Sequence, residues 1–443
     1  MLLLVAGLAA AEESTEAGAT LSTSLRLSPS GYWLDFRDTA VFSPWAAAAI
    51  GSRVRARGSI DFRLHSASAF EEVEGASSVA GTQPWSLRVR DAWIATRGEH
   101  LSLKMGAQRV AWGVGTGISL VDNLNPWNLE DPTRFDRRLS TPGVHAVGSF
   151  GAVSVEGAWM PFFVAGALPS SGVSLTAGST DVFDTEATGA GDIEIRELQT
   201  RVTLPEGAIW SSGFGGRMRW SGSRADLALS WYRGHDTLPQ VDGDVLLTGF
   251  QTDTDRVDVG VPLVYPVVSV GGLEVKGELL SGISGWAEVA AVLPDATAAT
   301  TSLAQLESLE KLGTIDEIPD PLPVTVTQDG EPYLKWLVGL DRFVGPVYLN
   351  VQWLHGFPTE RQQVDVRDYA LLAVRYGITP TLRLDLTGAS DAAGYLGGGG
   401  LTWLYADTVE LSGGGVVIGG QDGSALAGFA GVTHGRLSAK MSF

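Results

Sequence analysis

The segment that most constrains this chain is its last octapeptide, Arg436-Leu437-Ser438-Ala439-Lys440-Met441-Ser442-Phe443. On an extended strand, residues two apart share a face. Leu437, Ala439, Met441 and Phe443 therefore make an apolar face, with Arg436, Ser438, Lys440 and Ser442 behind it. An ordinary edge strand would explain this stretch alone, but the same period returns along the whole chain. It is clearest from Arg53 to His65, where Val54, Ala56, Ile60, Phe62 and Leu64 oppose Arg53, Arg55, Arg57, Asp61, Arg63 and His65. Repeated strands of this kind predict an all-β fold.

Composition says what the apolar face meets. The 443 residues carry a formal charge of −19, yet the mean hydropathy is +0.11. So acidic a chain is that apolar only if much of its surface faces a non-aqueous solvent or a very large core. After the first residues no apolar run reaches the length of a membrane-spanning helix. The remaining spanning solution is a closed barrel, because lipid cannot satisfy an open sheet edge. We therefore expect a single transmembrane antiparallel β-barrel. At about ten residues per strand it would have roughly 14–18 strands, 16 being favoured. Residues 1–11, MLLLVAGLAAA before Glu12-Glu13, read as a secretory signal, leaving 12–443 as the barrel. The absence of Cys suits export through an oxidising compartment.

Strand candidates are separated alternately by short turns and long acidic loops, expected to be periplasmic and extracellular respectively. Phe214 to Trp220 and Ala225 to Trp231 form a hairpin around Ser221-Gly222-Ser223, and Val261 to Leu273 reads as one strand. Asp181 to Glu197 carries six acids and one Arg; Glu307 to Glu331 carries seven acids and one Lys. Ser302 to Leu312 is the one helical stretch. Trp33, Trp85, Trp112, Trp159, Trp220, Trp231 and Trp353 fall at strand ends, where interfacial girdles need aromatic rings.

Two groups of residues carry candidate chemistry. Arg53, Arg55, Arg57 and Arg63, with Arg88 and Arg90 on the following strand, would face the lumen, since charge at the lipid midplane costs roughly 2–4 kcal/mol. They either form a basic ladder that attracts anions or pair with acids such as Asp61 and fill the wall. Val114 to Gly143 lacks a strand pattern and gathers Asp122, Asn123, Asn125, Asp131, Arg134, Asp136, Arg137 and Arg138 around Trp127 and Phe135. Such a loop is expected to fold inward as a constriction, the alternative being a packed external loop. Asp122, Asn123 and Asn125 lack the further oxygen ligands of a calcium loop, and the six His show no metal spacing. No Gly-x-Ser-x-Gly or phosphate loop occurs, so no enzyme, cofactor or metal is expected. The negative charge argues against nucleic acid.

The strand ending in Phe443 resembles the closing strand of Gram-negative outer-membrane barrels, whose terminal Phe is part of the signal read by the barrel assembly machinery, and so implies a place in the outer membrane of a Gram-negative bacterium. The blocks Met105 to Pro126 (MGAQRVAWGVGTGISLVDNLNP) and Ser212 to Pro239 (SGFGGRMRWSGSRADLALSWYRGHDTLP) are similar to a proteobacterial outer-membrane barrel family of unassigned function. That family is porin-like and related in architecture to alginate-export barrels; Ala107 stands where it would place Arg. The resemblance implies a channel for passive diffusion or substrate-specific transport of a polar solute. Its partners would be membrane lipid, the assembly machinery and a small solute or exported polymer, with homo-oligomerisation compatible. The competing expectation is a structural or adhesive barrel whose acidic loops bind a partner protein or divalent cations.

Overall fold

The computed structural model describes residues 15–27, 40–64, 85–131, 134–167, 194–206, 211–251, 256–300, 324–421, 424–426 and 433–443. Eighteen strands make one sheet. In chain order they are Thr15–Leu27, Ala40–Ile50, Val54–Leu64, Trp85–Arg97, Leu101–Gln108, Thr141–Phe150, Val153–Met160, Gly213–Ser221, Ala225–His235, Val267–Leu280, Ile283–Pro294, Tyr333–Val344, Val347–His355, Asp368–Gly377, Leu382–Ser390, Gly394–Ala406, Val409–Gly420 and His434–Ser442. Each pairs antiparallel with the next, as in the predicted hairpin Leu227 opposite Trp220. The last pairs with the first, Leu21 opposite Met441 and Leu27 opposite Gly435, so the sheet closes and leaves no edge.

The count is 18 rather than the favoured 16. The two additional strands are Ala40–Ile50, whose alanine run hides its alternation, and Thr141–Phe150, which opens on Thr-Pro-Gly. The predicted strand Val261 to Leu273 divides at Pro266. Arg256–Val264 joins a small separate sheet with Glu194–Val202, Leu246–Gln251 and Gln240–Val241, and the barrel strand begins at Val267. Residues 1–11, the helical candidate 302–312, Trp33 and the acidic stretches 181–193 and 307–323 lie outside the described residues.

The two barrel ends differ as predicted. Eight connections at one end are turns of two to four residues, with Gly51, Gly151, Gly282 and Gly345 at positive φ. The other end carries most of the long connections, including 109–140 and 236–266.

Alternation sorts the side chains. Leu25, Phe62, Leu87, Val155, Leu229, Val351, Leu401 and Leu437 are exposed on the outside. Exposed aromatics ring this belt: Trp85, Trp159, Trp231 and Trp353 towards the loop end, and Phe150, Trp220, Phe343 and Phe443 towards the turn end. Trp112 departs from the girdle expectation. It is buried inside, where its indole N–H donates to Glu156 at 3.1 Å. The largest buried apolar cluster lies within the lumen, joining Val110, Trp112, Ile118, Leu120, Val121 and Leu124 of the 109–140 connection to inward-facing Val268, Val270, Ala290, Leu337, Leu354 and Tyr369.

Candidate functional site

The 109–140 connection makes almost no regular structure of its own, so its backbone groups need partners inside the barrel. Asn125 closes the loop base. Its Oδ1 accepts the Val110 N–H at 3.0 Å, while its amide donates to the Val110 carbonyl and to Asp122 Oδ1. Asn123 donates to the Leu120 carbonyl at 3.2 Å. The wall strand Ile283–Pro294 supplies Glu288, which is fully buried and accepts the N–H groups of Val114, Gly115 and Leu120 and the Ser119 hydroxyl. Gln352, from the strand Val347–His355, donates to the Thr116 carbonyl at 2.8 Å.

A second fastening lies across the lumen. Glu130 takes two hydrogen bonds from Arg63, at 3.0 and 2.7 Å, and two from Arg88, at 3.2 and 2.7 Å. Burial, the largest single influence, would raise the Glu130 pKa, but the bonds and charges of Arg63 and Arg88 together outweigh it and hold the carboxyl at about 2. Asp122 has no such counterweight. Its burial pushes its pKa up to about 6 despite Arg138 and Asn125. Burial also lowers Arg138 to about 10. That guanidinium lies 3.0 Å from the centroid of the Trp127 ring and donates to the carbonyls of Asn125 and Ser119.

The predicted residues therefore divide. Asp122, Asn123, Asn125, Trp127 and Arg138 meet inside the barrel. Asp131 is buried, with Arg436 of the strand His434–Ser442 at 3.9 Å. Arg134 and Asp136 pair with each other at 2.9 Å on an exposed part of the loop, and Arg137 takes part through its carbonyl, which accepts the Asn128 N–H. The arginines do not form one open ladder. Arg53 is in a tight turn rather than on the strand. Arg63 and Arg88 are tied to the loop, Arg90 pairs with Asp61 at 2.9 Å, and Arg57 lies 3.8 Å from Asp91 and above the Trp45 ring. Arg55 is exposed. Phe443 exchanges two backbone hydrogen bonds with Ala19 and is exposed outside.

Glu130, Glu288, Glu274 and Arg217 were not singled out by sequence. Glu288 could have been, because it is the lone charged residue of an otherwise mostly apolar strand, whereas Glu274 shares its parity with Lys276 and Glu278 and carries no such mark. Arg217 bridges Glu274 at 2.6 Å and Glu156 at 3.3 Å, and the latter also accepts from Trp112. Beside this network a cavity of about 420 Å³ separates loop residues Ala111 to Thr116 from Arg219, Asp226 and Lys276.

The opposite side of the lumen carries a run of small residues. Gly398, Gly400, Thr402, Ser412 and Gly414 face inward from two adjacent strands, with Ser438 hydrogen-bonded to Ser412 at 2.6 Å. Inward-facing Thr387, Gly414 and Lys440 are exposed to solvent, whereas Leu337 and Leu354, beneath the loop, are fully buried. Among the described residues, the inward face is covered on one side and solvent-exposed on the other.

A closed antiparallel ring with an apolar outer belt, aromatic girdles and a charged interior is the architecture of outer-membrane β-barrels. Among solved structures, the chain is similar to OccK1 (OpdK) of Pseudomonas aeruginosa, with a TM-score of 0.51 and 9% identity over 97% of this chain and 98% of that one. OpdK solved with vanillate gives 0.50 and 9% over the same shares. Wzi of Escherichia coli, a carbohydrate-binding outer-membrane barrel, gives 0.48 and 11%, covering 97% of this chain and 84% of that one. No protein-family model matches the chain, and no curated protein does. At these identities the likeness establishes the fold.

Proposed function

We propose that the protein is an outer-membrane channel that passes a small polar solute along the glycine- and hydroxyl-lined side of its lumen, with residues 109–140 as the constriction. The supporting observation is the contrast within one closed wall: a loop fastened against one side, and inward-facing Thr387, Gly414 and Lys440 left exposed on the other. Arg55 and Arg57 make that space favourable to anions. The solution of the similarly folded OpdK with vanillate is compatible with small-solute traffic through such a barrel. The narrower kinship with alginate-export-like barrels rests on two sequence blocks. One, Met105 to Pro126, runs from the wall into the constriction; the other, Ser212 to Pro239, contains a hairpin wall beside it. Transport is passive, with no catalytic step, and assembly relies on the barrel machinery. Planar-bilayer recording of purified, heat-modifiable protein should give discrete conductance steps. A correctly closed barrel that carries no current would overturn the reading.

A further inference from the structure

Four donors converge on one carboxylate inside this barrel. Glu288 Oε1 accepts the N–H groups of Val114 at 2.5 Å and Gly115 at 2.6 Å; Oε2 accepts the Leu120 N–H at 2.8 Å and the Ser119 hydroxyl at 3.1 Å. The donors come from seven consecutive positions of the loop and the acceptor from the wall more than 160 residues away. Backbone N–H groups folded around an anion in this way form a nest. The glycines are fitted to it. Gly113 and Gly117 have φ of +97° and +83°, and a Cβ on Gly113 would lie 1.9 Å from Ser119 Oγ and 2.7 Å from Glu288 Oε1.

We propose that residues 113–120 are a carboxylate-binding nest, that Glu288 is its resident anion, and that occupation of the nest holds the constriction in its narrow position. The proposal deepens the channel reading and rests on it. Three observations carry it beyond ordinary packing. A single side chain answers four donors, so its loss frees them together. Gly113, Gly115 and Gly117 give the segment conformational latitude that a side chain would deny. The cavity of about 420 Å³ along Ala111 to Thr116 provides space into which the released segment can move. Glu288 is a positioning residue: it acts on the pore through the loop. The nest's ligand class is a small carboxylate, with two oxygens spaced to receive the paired donors.

The test is chemical rescue. Glu288→Ala empties the nest while Glu130 still fastens the far part of the loop. Its single-channel conductance should rise at least about twofold over wild type, and sodium formate should return it towards the wild-type value. Sodium chloride at equal ionic strength should not restore it, and formate should leave wild type unchanged. Limited trypsin digestion gives a readout independent of current. The 109–138 segment, which contains Arg134, Arg137 and Arg138, should be cut faster in the variant and be protected again by formate. Ser119→Ala removes one donor and keeps the carboxylate, so it should show a smaller effect of the same sign. Wild-type conductance and wild-type proteolysis in Glu288→Ala would overturn the latch, and an effect that formate does not reverse would overturn the nest. A wild-type barrel without current would end the channel reading, while the proteolysis arm would still decide whether the nest binds a carboxylate.

Discussion

The two sides of the inner wall solve opposite problems with the same strand grammar. From Gly213–Ser221 round to Val347–His355, inward positions carry Glu274, Glu288 and Leu337, large groups buried around an inserted loop, with half-buried Arg217 held by Glu274 beside them. From Leu382–Ser390 round to Thr15–Leu27, the inward positions include Thr387, Gly398, Gly400, Ser412, Ser438 and Ser24, with Arg436, 3.9 Å from Asp131 of the loop, as the long exception. Reach, more than polarity, separates them. Long side chains project partners to a backbone that has none of its own, whereas glycine and serine leave the space unclaimed. One strand period can therefore build a scaffold for a plug and a passage beside it.

The two sides should respond oppositely when what the first side holds is removed. Shortening the loop between Asn128 and Ser140 deletes Glu130 and Arg138, and conductance should rise several-fold, about threefold or more, with the barrel still heat-modifiable. Wild-type current in that variant would place the loop outside the permeation path. The reverse manipulation fills the second side. A Cβ on Gly400 would meet only backbone atoms at 3.4 and 3.8 Å, so Gly400→Trp should be accommodated and should lower conductance by about half or more. Current unaffected by that ring would mean that solute does not pass along the glycine strands.

Among the arginines the same residue type plays two parts. Arg63→Ser should strip Glu130 of a bidentate partner and raise conductance with little change in selectivity. Arg55→Ser with Arg57→Ser should shift the reversal potential towards cations at nearly unchanged conductance. Identical responses from the two would collapse the distinction between fastening and lining arginines.

The smallest expected effect concerns Asp122. Its folded pKa of about 6 exceeds the ordinary unfolded value of about 3.9, so the folded state holds the proton more tightly. Stability is then lost as pH rises from about 3.9 to about 6, and the penalty is complete above that. Asp122→Asn should raise the denaturant midpoint at pH 8 by an amount equivalent to about 3 kcal/mol and leave it unaltered near pH 3. Glu130 behaves in the opposite sense. Its carboxylate persists down to about pH 2, so its fastening should survive acidification that neutralises Asp122.

Much of the barrel was legible because lipid and lumen impose a strict period of two. Phe62 and Arg63 could not exchange faces without putting charge in the membrane. The alanines 46–49 removed that signal from one strand, since small side chains pack acceptably on either face, and the strand count suffered. The loop was recognised by its lack of period, and its inward direction by its mixture of aromatic and charged residues. Its attachment was not legible. The contacts between Glu130 and Arg63 and between Glu288 and Val114 join residues 67 and 174 positions apart, with no local pattern to announce them. The arginines were seen, but whether each lines water or grips a carboxylate depends on where the loop arrives.

Closure of the ring also dictates how the molecule can be made. Thr20 and Ser442 are register partners more than 400 positions apart, so this seam has one of the largest sequence separations the chain allows. Until it forms, every partly built sheet presents two raw edges, each able to recruit a foreign strand. Local hairpins such as the one between Met218 and Leu229 can form early, but they cannot protect those edges. Maturation is therefore discontinuous: a sheet one strand short is as unprotected as one missing half. The open ribbon stays vulnerable to foreign pairing until its two ends meet.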